Sequence, residues 1–251
     1  PRLSNQFLAT YSRIQATRTS PSSKEFPMID IGYAGDNLRG SNNYQNYISA
    51  GYELFTYGND VLNDNITLTN NLTYITGKHT FTAGASFETQ KFGNQYLRNG
   101  TSYYRYASVE EFLKTGTPDE VAPLQFALTY PYAGQDTYAP IRYGLPSVYV
   151  QDKIDLSDKL TLTAGIRAEM PIFMNDLTPN TVVNEMQFLD TKGNPRTYDT
   201  GSWPKSRIML SPRVGVIWDV KGDKSLVVRG GTGIFAGRVP FVWLTNMPSN
   251  L

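Results

Sequence analysis

Between residues 159 and 170 the sequence reads KLTLTAGIRAEM, with Leu160, Leu162, Ala164, Ile166, Ala168 and Met170 on even numbers. Thr161, Thr163, Gly165, Arg167 and Glu169 take the odd ones. Side chains of a strand point alternately to opposite faces, so strict alternation over this length predicts a β-strand with one apolar and one polar face. It also predicts a long strand, since strands in globular proteins usually run to about five or six residues.

The unit recurs. In ITLTNNLTY (66–74), Ile66, Leu68, Leu72 and Tyr74 alternate with Thr67, Thr69, Asn71 and Thr73. TGKH (76–79) turns the chain, and TFTAGASFETQKF (80–92) returns with Phe81, Ala83, Ala85 and Phe87 opposite Thr82, Gly84, Ser86, Glu88 and Gln90. Two alternating runs joined by so few residues form a hairpin. SVYVQDKIDL (147–156) leads through SDK (157–159) into the first strand described, with Val148, Val150, Ile154 and Leu156 in phase. LSPRVGVIWDV (210–220), KGDK (221–224) and SLVVRGGTGIF (225–235) form a third hairpin. Leu210, Val214, Val216, Trp218 and Val220 share a face there against Ser211, Arg213 and Asp219, while Val227 and Phe235 fall in phase with Arg229. QFLATYSRIQAT (6–17) reads as one more strand of ambiguous facing, which makes about seven, an odd number with no way to close.

Tight turns join the strands within each hairpin, but the connections at 18–62, 97–144 and 171–206 are long, against about four to six residues in most compact domains. Short turns at one end and long loops at the other are how outer-membrane barrels are built. In lipid every backbone N–H and C=O must be paired, so such strands belong to a closed sheet, apolar face to hydrocarbon and polar face to an aqueous lumen. About eleven residues at roughly 3.3 Å each, tilted by roughly 40°, rise about 28 Å, close to the apolar band of about 25 Å. Tyr74 and Trp218 near the turns, and Phe92 and Tyr96 toward the loops, are placed for interfacial girdles. The expected fold is all-β: a segment of an antiparallel transmembrane β-barrel.

Composition agrees. Tyrosine (17 residues) dominates an aromatic content of 13%, and glycine (21) is common. A mean hydropathy of −0.37 suits alternating strands, and no run of about 18 apolar residues could form a membrane-spanning helix. The net charge of +1 gives no electrostatic case for nucleic acid, and the absence of cysteine excludes disulfides and thiolate metal sites. The opening PRLSNQF has no basic-then-apolar leader.

Two segments carry a resemblance. VYVQDKIDLSDKLTLTAGIRAEMP (148–171) resembles a strand–turn–strand unit of TonB-dependent outer-membrane receptors, and LSPRVGVIWDVKGDKSLVVRGGTGIFAGRVPFVW (210–243) resembles the hairpin that follows it. The likeness is greatest to Oar-like receptors, with SusC-like ones next, while residues 64–96 fit more loosely and the loops not at all. The motifs mark barrel scaffold rather than substrate. The resemblance implies a parent barrel of roughly 22 strands with a plugged lumen, bacterial outer-membrane localisation, and uptake driven by the TonB complex. Residues 1–251 would then be an internal slice of one barrel domain, without natural ends at Pro1 and Leu251 and without the N-terminal plug. The partners implied are outer-membrane lipid, the protein's own plug, the TonB complex and, as a further partner, a surface lipoprotein or other envelope assembly. No cofactor is implied.

Candidate residues fall into two sets. Glu88, Gln90, Arg167, Glu169, Arg213 and Arg229 lie on polar faces and are expected to face the lumen, gripping a plug, lining a substrate path, or pairing across neighbouring strands. Tyr103, Tyr104, Arg105 and Tyr106 in SYYRY, with Trp203, are candidate extracellular substrate contacts, because such rings offer rigid amphipathic area; they equally serve to hold a loop together. SVEEFLKTG (108–116) reads as a short helix capped by Ser108 and stopped at Gly116, and TYPYAGQDTY (129–138) adds further tyrosines. GGTG in 229–237 lacks the spacing of a phosphate loop, and GNDVLNDN (58–65) fits no calcium loop. His79, the only histidine, is expected in a short turn away from any cleft, so neither a catalytic triad nor a metal site is expected and the chain reads as non-enzymatic. The leading functional expectation is a receptor wall whose outer loops capture a large substrate: peptide, protein or glycan. Two other readings stay open: a passive porin-like barrel, and a β-rich surface or scaffolding protein without transport.

Overall fold

The computed structural model describes residues 2–21, 24–33, 46–131, 133–134 and 136–245. Pro1 and Leu251, and Tyr132 and Gln135 of the tyrosine-rich stretch, lie outside the described residues. Seven long strands form the wall: β1 (Leu3–Thr17), β2 (Asn59–Thr76), β3 (His79–Tyr96), β4 (Tyr138–Ser157), β5 (Leu160–Glu169), β6 (Met209–Asp219) and β7 (Val227–Gly233). Each lies beside its predecessor in one sheet, an up-and-down meander with β1 and β7 at its edges. A short strand, Ile172–Phe173, also pairs with β4.

Several strands extend past their expected limits. β2, β3 and β4 run to 18, 18 and 20 residues, so parts of the predicted loops, residues 59–62 and 138–144, are strand. Local alternation fades in these extensions, but strand pairing carries them on. Gly77, with φ of +56°, supplies the left-handed residue of the two-residue turn between β2 and β3, a conformation that costs glycine no Cβ clash.

Register fixes the faces. Val148, Val150 and Ile154 of β4 lie opposite Ala168, Ile166 and Leu162 of β5, and β5 in turn sets Ala168, Ala164 and Leu162 against Leu210, Val214 and Val216 of β6. Backbone bonds from Ile75 N to Arg2 O (2.8 Å) and from Arg18 N to Asn59 O (3.1 Å) pin the two ends of β1 antiparallel to β2. This settles the ambiguous strand: its odd-numbered residues, Leu3 and Tyr11 among them, share the apolar face.

Burial is inverted relative to a water-soluble sheet. On the apolar face Val148 is 59% exposed and Leu210 55%, while on the polar face Ser211 is 2%, Ser147 5% and Glu88 6% exposed. Burial of apolar area drives folding in water, so a strand pattern that leaves its apolar face uncovered demands a second apolar medium.

The described chain divides into two compact units: a wall unit of residues 1–14, 62–92 and 140–251, and a loop unit of residues 15–61 and 93–139. The loop unit contains a four-stranded sheet, ordered Asn46–Ala50, Met28–Gly32, Tyr103–Tyr106 and Gln125–Ala127. Its central pairing, Met28–Gly32 with Tyr103–Tyr106, is parallel, because the two strands come from separate connections rather than from a hairpin. The predicted helix is Val109–Leu113, with the Ser108 hydroxyl accepting from Glu111 N at 3.2 Å.

Candidate functional site

The polar face of the wall sheet is a bonded network. Tyr149 of β4 lies across the neighbouring strand and donates its hydroxyl to the side-chain Oδ1 of Asn71 on β2. Gly84 of β3 makes this possible, since a Cβ there would run into the Tyr149 ring. Arg167 sits 5.5 Å from the centroid of the same ring and donates through Nε to Glu169 at 2.7 Å. Ser86 and Ser147 share a hydrogen bond of 2.7 Å. Gln90 donates to Glu88 at 2.5 Å, and the other Glu88 oxygen accepts from Arg238.

The six residues expected on this face therefore separate into subsets. Glu88 and Gln90 form one buried group, closed by Arg238, whose role no local pattern signalled. Arg167 and Glu169 form another. Arg213 and Arg229 are exposed; among the described residues neither has a carboxylate at ion-pair distance, and Arg213 lies over the Phe235 ring at 4.8 Å.

Toward the long-loop end the same face turns apolar. Ile141, Tyr143 and Leu145 of β4 share parity with Ser147 and Tyr149, and all three are buried. Phe92, Phe173, Trp203, Phe241 and Leu244 pack against them. Tyr143 meets Phe173 and Phe241 edge-on at 5.8 and 5.2 Å, Phe92 meets Phe241 at 5.5 Å, and Phe173 stacks on Trp203 at 4.6 Å. The segment following β7 thus folds back over the wet face and is anchored there by Arg238 and Phe241. This corrects the placement of Phe92 in an outer girdle: its even number puts it inward with Glu88 and Gln90.

His79 opens β3 rather than sitting in the turn, and its Nδ1 lies 2.6 Å from Asp152 Oδ2. Asp152 is opposite Ala164, on the apolar side of β4, so this pair lies among outward-facing groups. The His79 ring stacks on Phe81 at 5.3 Å, and the second Asp152 oxygen is buried without a hydrogen-bond partner. Both residues are visible in the sequence; the strand pairing that joins them is not. Among the described residues no group of three or more His, Cys, Asp or Glu side chains is placed to hold a metal ion.

SYYRY forms a strand inside the loop unit. Arg105 and Tyr106 are buried, and Tyr106 meets Phe112 of the short helix edge-on at 5.3 Å. Tyr103 donates to Asp30 at 2.8 Å; burial, then that carboxylate, pushes its hydroxyl above the ordinary tyrosine pKa. Tyr104 packs against Phe126 at 5.0 Å. The structure therefore gives Arg105 and Tyr106 an internal place, and Trp203 belongs to the roof over the wet face, where its Nε1 donates to Asn175 O.

A different set of loop-unit residues surrounds open space. A pocket of about 620 Å³ is lined by Tyr52, Tyr57, Asp60, Gln95 and Thr137, among others. One Asp60 oxygen accepts from Tyr138 at 2.9 Å, and the other is buried without a partner. Gln95 donates to Thr137 at 2.6 Å. With its tyrosines, Gln95 and Asp60, this is a polar-edged pocket of ligand size. The Asn/Asp-rich run 58–65 and the tyrosine-rich run 129–138 are its traces in the sequence.

A family model described as outer membrane beta barrel domain matches residues 1–251. No curated protein and no solved structure matches the chain.

Proposed function

Because this chain belongs to the outer membrane β-barrel domain family, and so sits in the bacterial outer membrane, we propose that it is a wall segment of a TonB-dependent, Oar-like receptor. In this reading the outer loops capture a peptide, protein or glycan, and the lumen admits it only when energy is supplied through the TonB complex. The partners are outer-membrane lipid, a plug, the TonB complex and, where one exists, a surface lipoprotein. The role is binding and transport rather than catalysis.

The observation that carries the reading is the roof of Tyr143, Phe173, Trp203 and Phe241 over the wet face, together with the Arg238–Glu88 pair. Aromatic packing folded over the wet face suits a barrel whose interior is closed at rest, as a gated receptor requires. The loop-unit pocket around Asp60 supplies a place for capture.

Uptake of a labelled peptide mixture by cells making the full-length protein tests this. Uptake should stop when TonB is deleted or the proton-motive force is collapsed, and Asp60→Ala should lower surface capture several-fold. Uptake that continues in de-energised cells would establish a passive pore instead. Phe241→Ala should also admit large hydrophilic antibiotics, read as increased sensitivity.

A further inference from the structure

Three successive lateral rows of the wet face contain cations and neutral donors but no carboxylate. Register gives the first row as Tyr149, Arg167 and Ser211. The second is Gln151, Gly165, Arg213 and Gly233, and the third is Lys153, Thr163, Gly215 and Gly231. Acidic residues appear only outside these rows: Glu169 in the row before, paired with Arg167, and Asp155 in the row after, 3.8 Å from Lys153.

The glycines leave a recess between the guanidinium groups. Gly165 lies directly opposite both Gln151 and Arg213, and a Cβ there would come within 2.9 Å of Val150 O. An open volume of about 200 Å³ is bounded by Arg167, Arg213, Tyr149, Gln151 and Ser211. Arg167 and Arg213 are diagonal neighbours on adjacent strands, about 7–8 Å apart at the backbone, close enough for both side chains to reach one group between them. Planar guanidinium forks match the oxygen geometry of carboxylate and phosphate. Among the described residues Arg213 has no carboxylate at ion-pair distance, and its guanidinium lies over the Phe235 ring.

We propose that this recess on the lumenal wall binds the oxyanion group, carboxylate or phosphate, of a small solute, held between Arg213 and Arg167 with the exposed Gln151 as a further donor. The site stands on the register of β4, β5, β6 and β7 and does not depend on the TonB-dependent reading. An anion held at mid-wall would add a charge filter to whatever passes.

Titration calorimetry of the purified full-length protein in detergent, at low ionic strength, with inorganic phosphate and with citrate as probes, tests it. Saturable one-site binding of at least one probe is expected, weakened about tenfold or more by Arg213→Gln. Gly165→Val, which changes no charge but crowds Val150 O and Gln151 on the neighbouring strand at the edge of the recess, should abolish binding in protein that still shows barrel heat-modifiability. Lys78→Gln, in a short turn, should leave the affinity unchanged. Absence of saturable binding to the wild-type protein, or equal affinity for wild-type and Arg213→Gln, overturns the proposal. Neither readout involves energised uptake, so the two proposals fail separately.

Discussion

The wall unit and the loop unit are built from the same kinds of residue under opposite rules. In the loop unit Ile31 and Tyr106 are buried, and the buried Asp30 is satisfied by Ser49 and Tyr103 at 2.5 and 2.8 Å. That is how a water-soluble domain is arranged: apolar groups inside, and any buried charge hydrogen-bonded. Through the middle of the wall unit the buried groups are Glu88, Gln90, Ser147 and Ser211, while valines, leucines and Trp218 point outward. The difference teaches that burial by protein and burial from water are separate quantities. The wall removes its apolar face from water by lipid, and its polar face is crowded because it lines an interior.

The comparison breaks most easily at the buried ring of the loop unit. Tyr106→Ala should cost that unit about 3–5 kcal/mol, read as faster surface proteolysis within 97–137 while the barrel keeps its heat-modifiable mobility. Loss of both together would mean that the units do not fold under separate rules. A charge on the outer face comes next. Ala164→Arg should cost about 2–4 kcal/mol at mid-bilayer and reduce assembly, whereas Thr163→Arg on the wet side should assemble nearly normally. Equal yields would reverse the assignment of faces.

The outward pair sharpens the contrast further. His79→Ala leaves the Asp152 carboxylate without the one partner it has among the described residues and should cost about 1–3 kcal/mol; adding Asp152→Ala should restore most of the assembly, since the unpaired carboxylate is then gone. A double variant no better than the single one would show that the pair carries nothing. Ser108→Ala should cost the short loop-unit helix about 1 kcal/mol, measured as faster amide exchange at 109–113 alone.

The smallest effect belongs to the exposed turn at Asp190. Its carboxyl is held below the ordinary carboxylate range, first by the Asn194 backbone N–H and then by the Asn194 side chain and Lys192 N. A depressed folded pKa means that this support is complete above the unfolded carboxylate value and disappears as pH falls through the lower, folded one. The hairpin 188–196 should therefore become more accessible to an acid-active protease only at strongly acidic pH, and Asp190→Ala should show that accessibility already at neutral pH.

How much was legible follows from which forces are local. Alternation at 66–74, 147–156 and 160–170 marks strands wherever it occurs, because side-chain direction reverses at every residue. The Ser108 cap was readable for the same reason, since the acceptor and the Glu111 N–H it serves are three positions apart. The candidate site was less legible. Glu88 and Gln90 could be placed on a wet face, but Arg238, 150 positions from Glu88, could not be assigned to them.

The sequence by itself determined the period of the strands, the side of each that is apolar, the short turns and hence the class of environment. Tertiary structure alone decided that Phe92 packs against Phe241, that His79 meets Asp152, and that Met28–Gly32 runs parallel to Tyr103–Tyr106. The physical reason is that a two-residue period is written within each strand, whereas lateral partners depend on register between segments far apart in the chain. Only the assembled sheet fixes which side chains stand in one row.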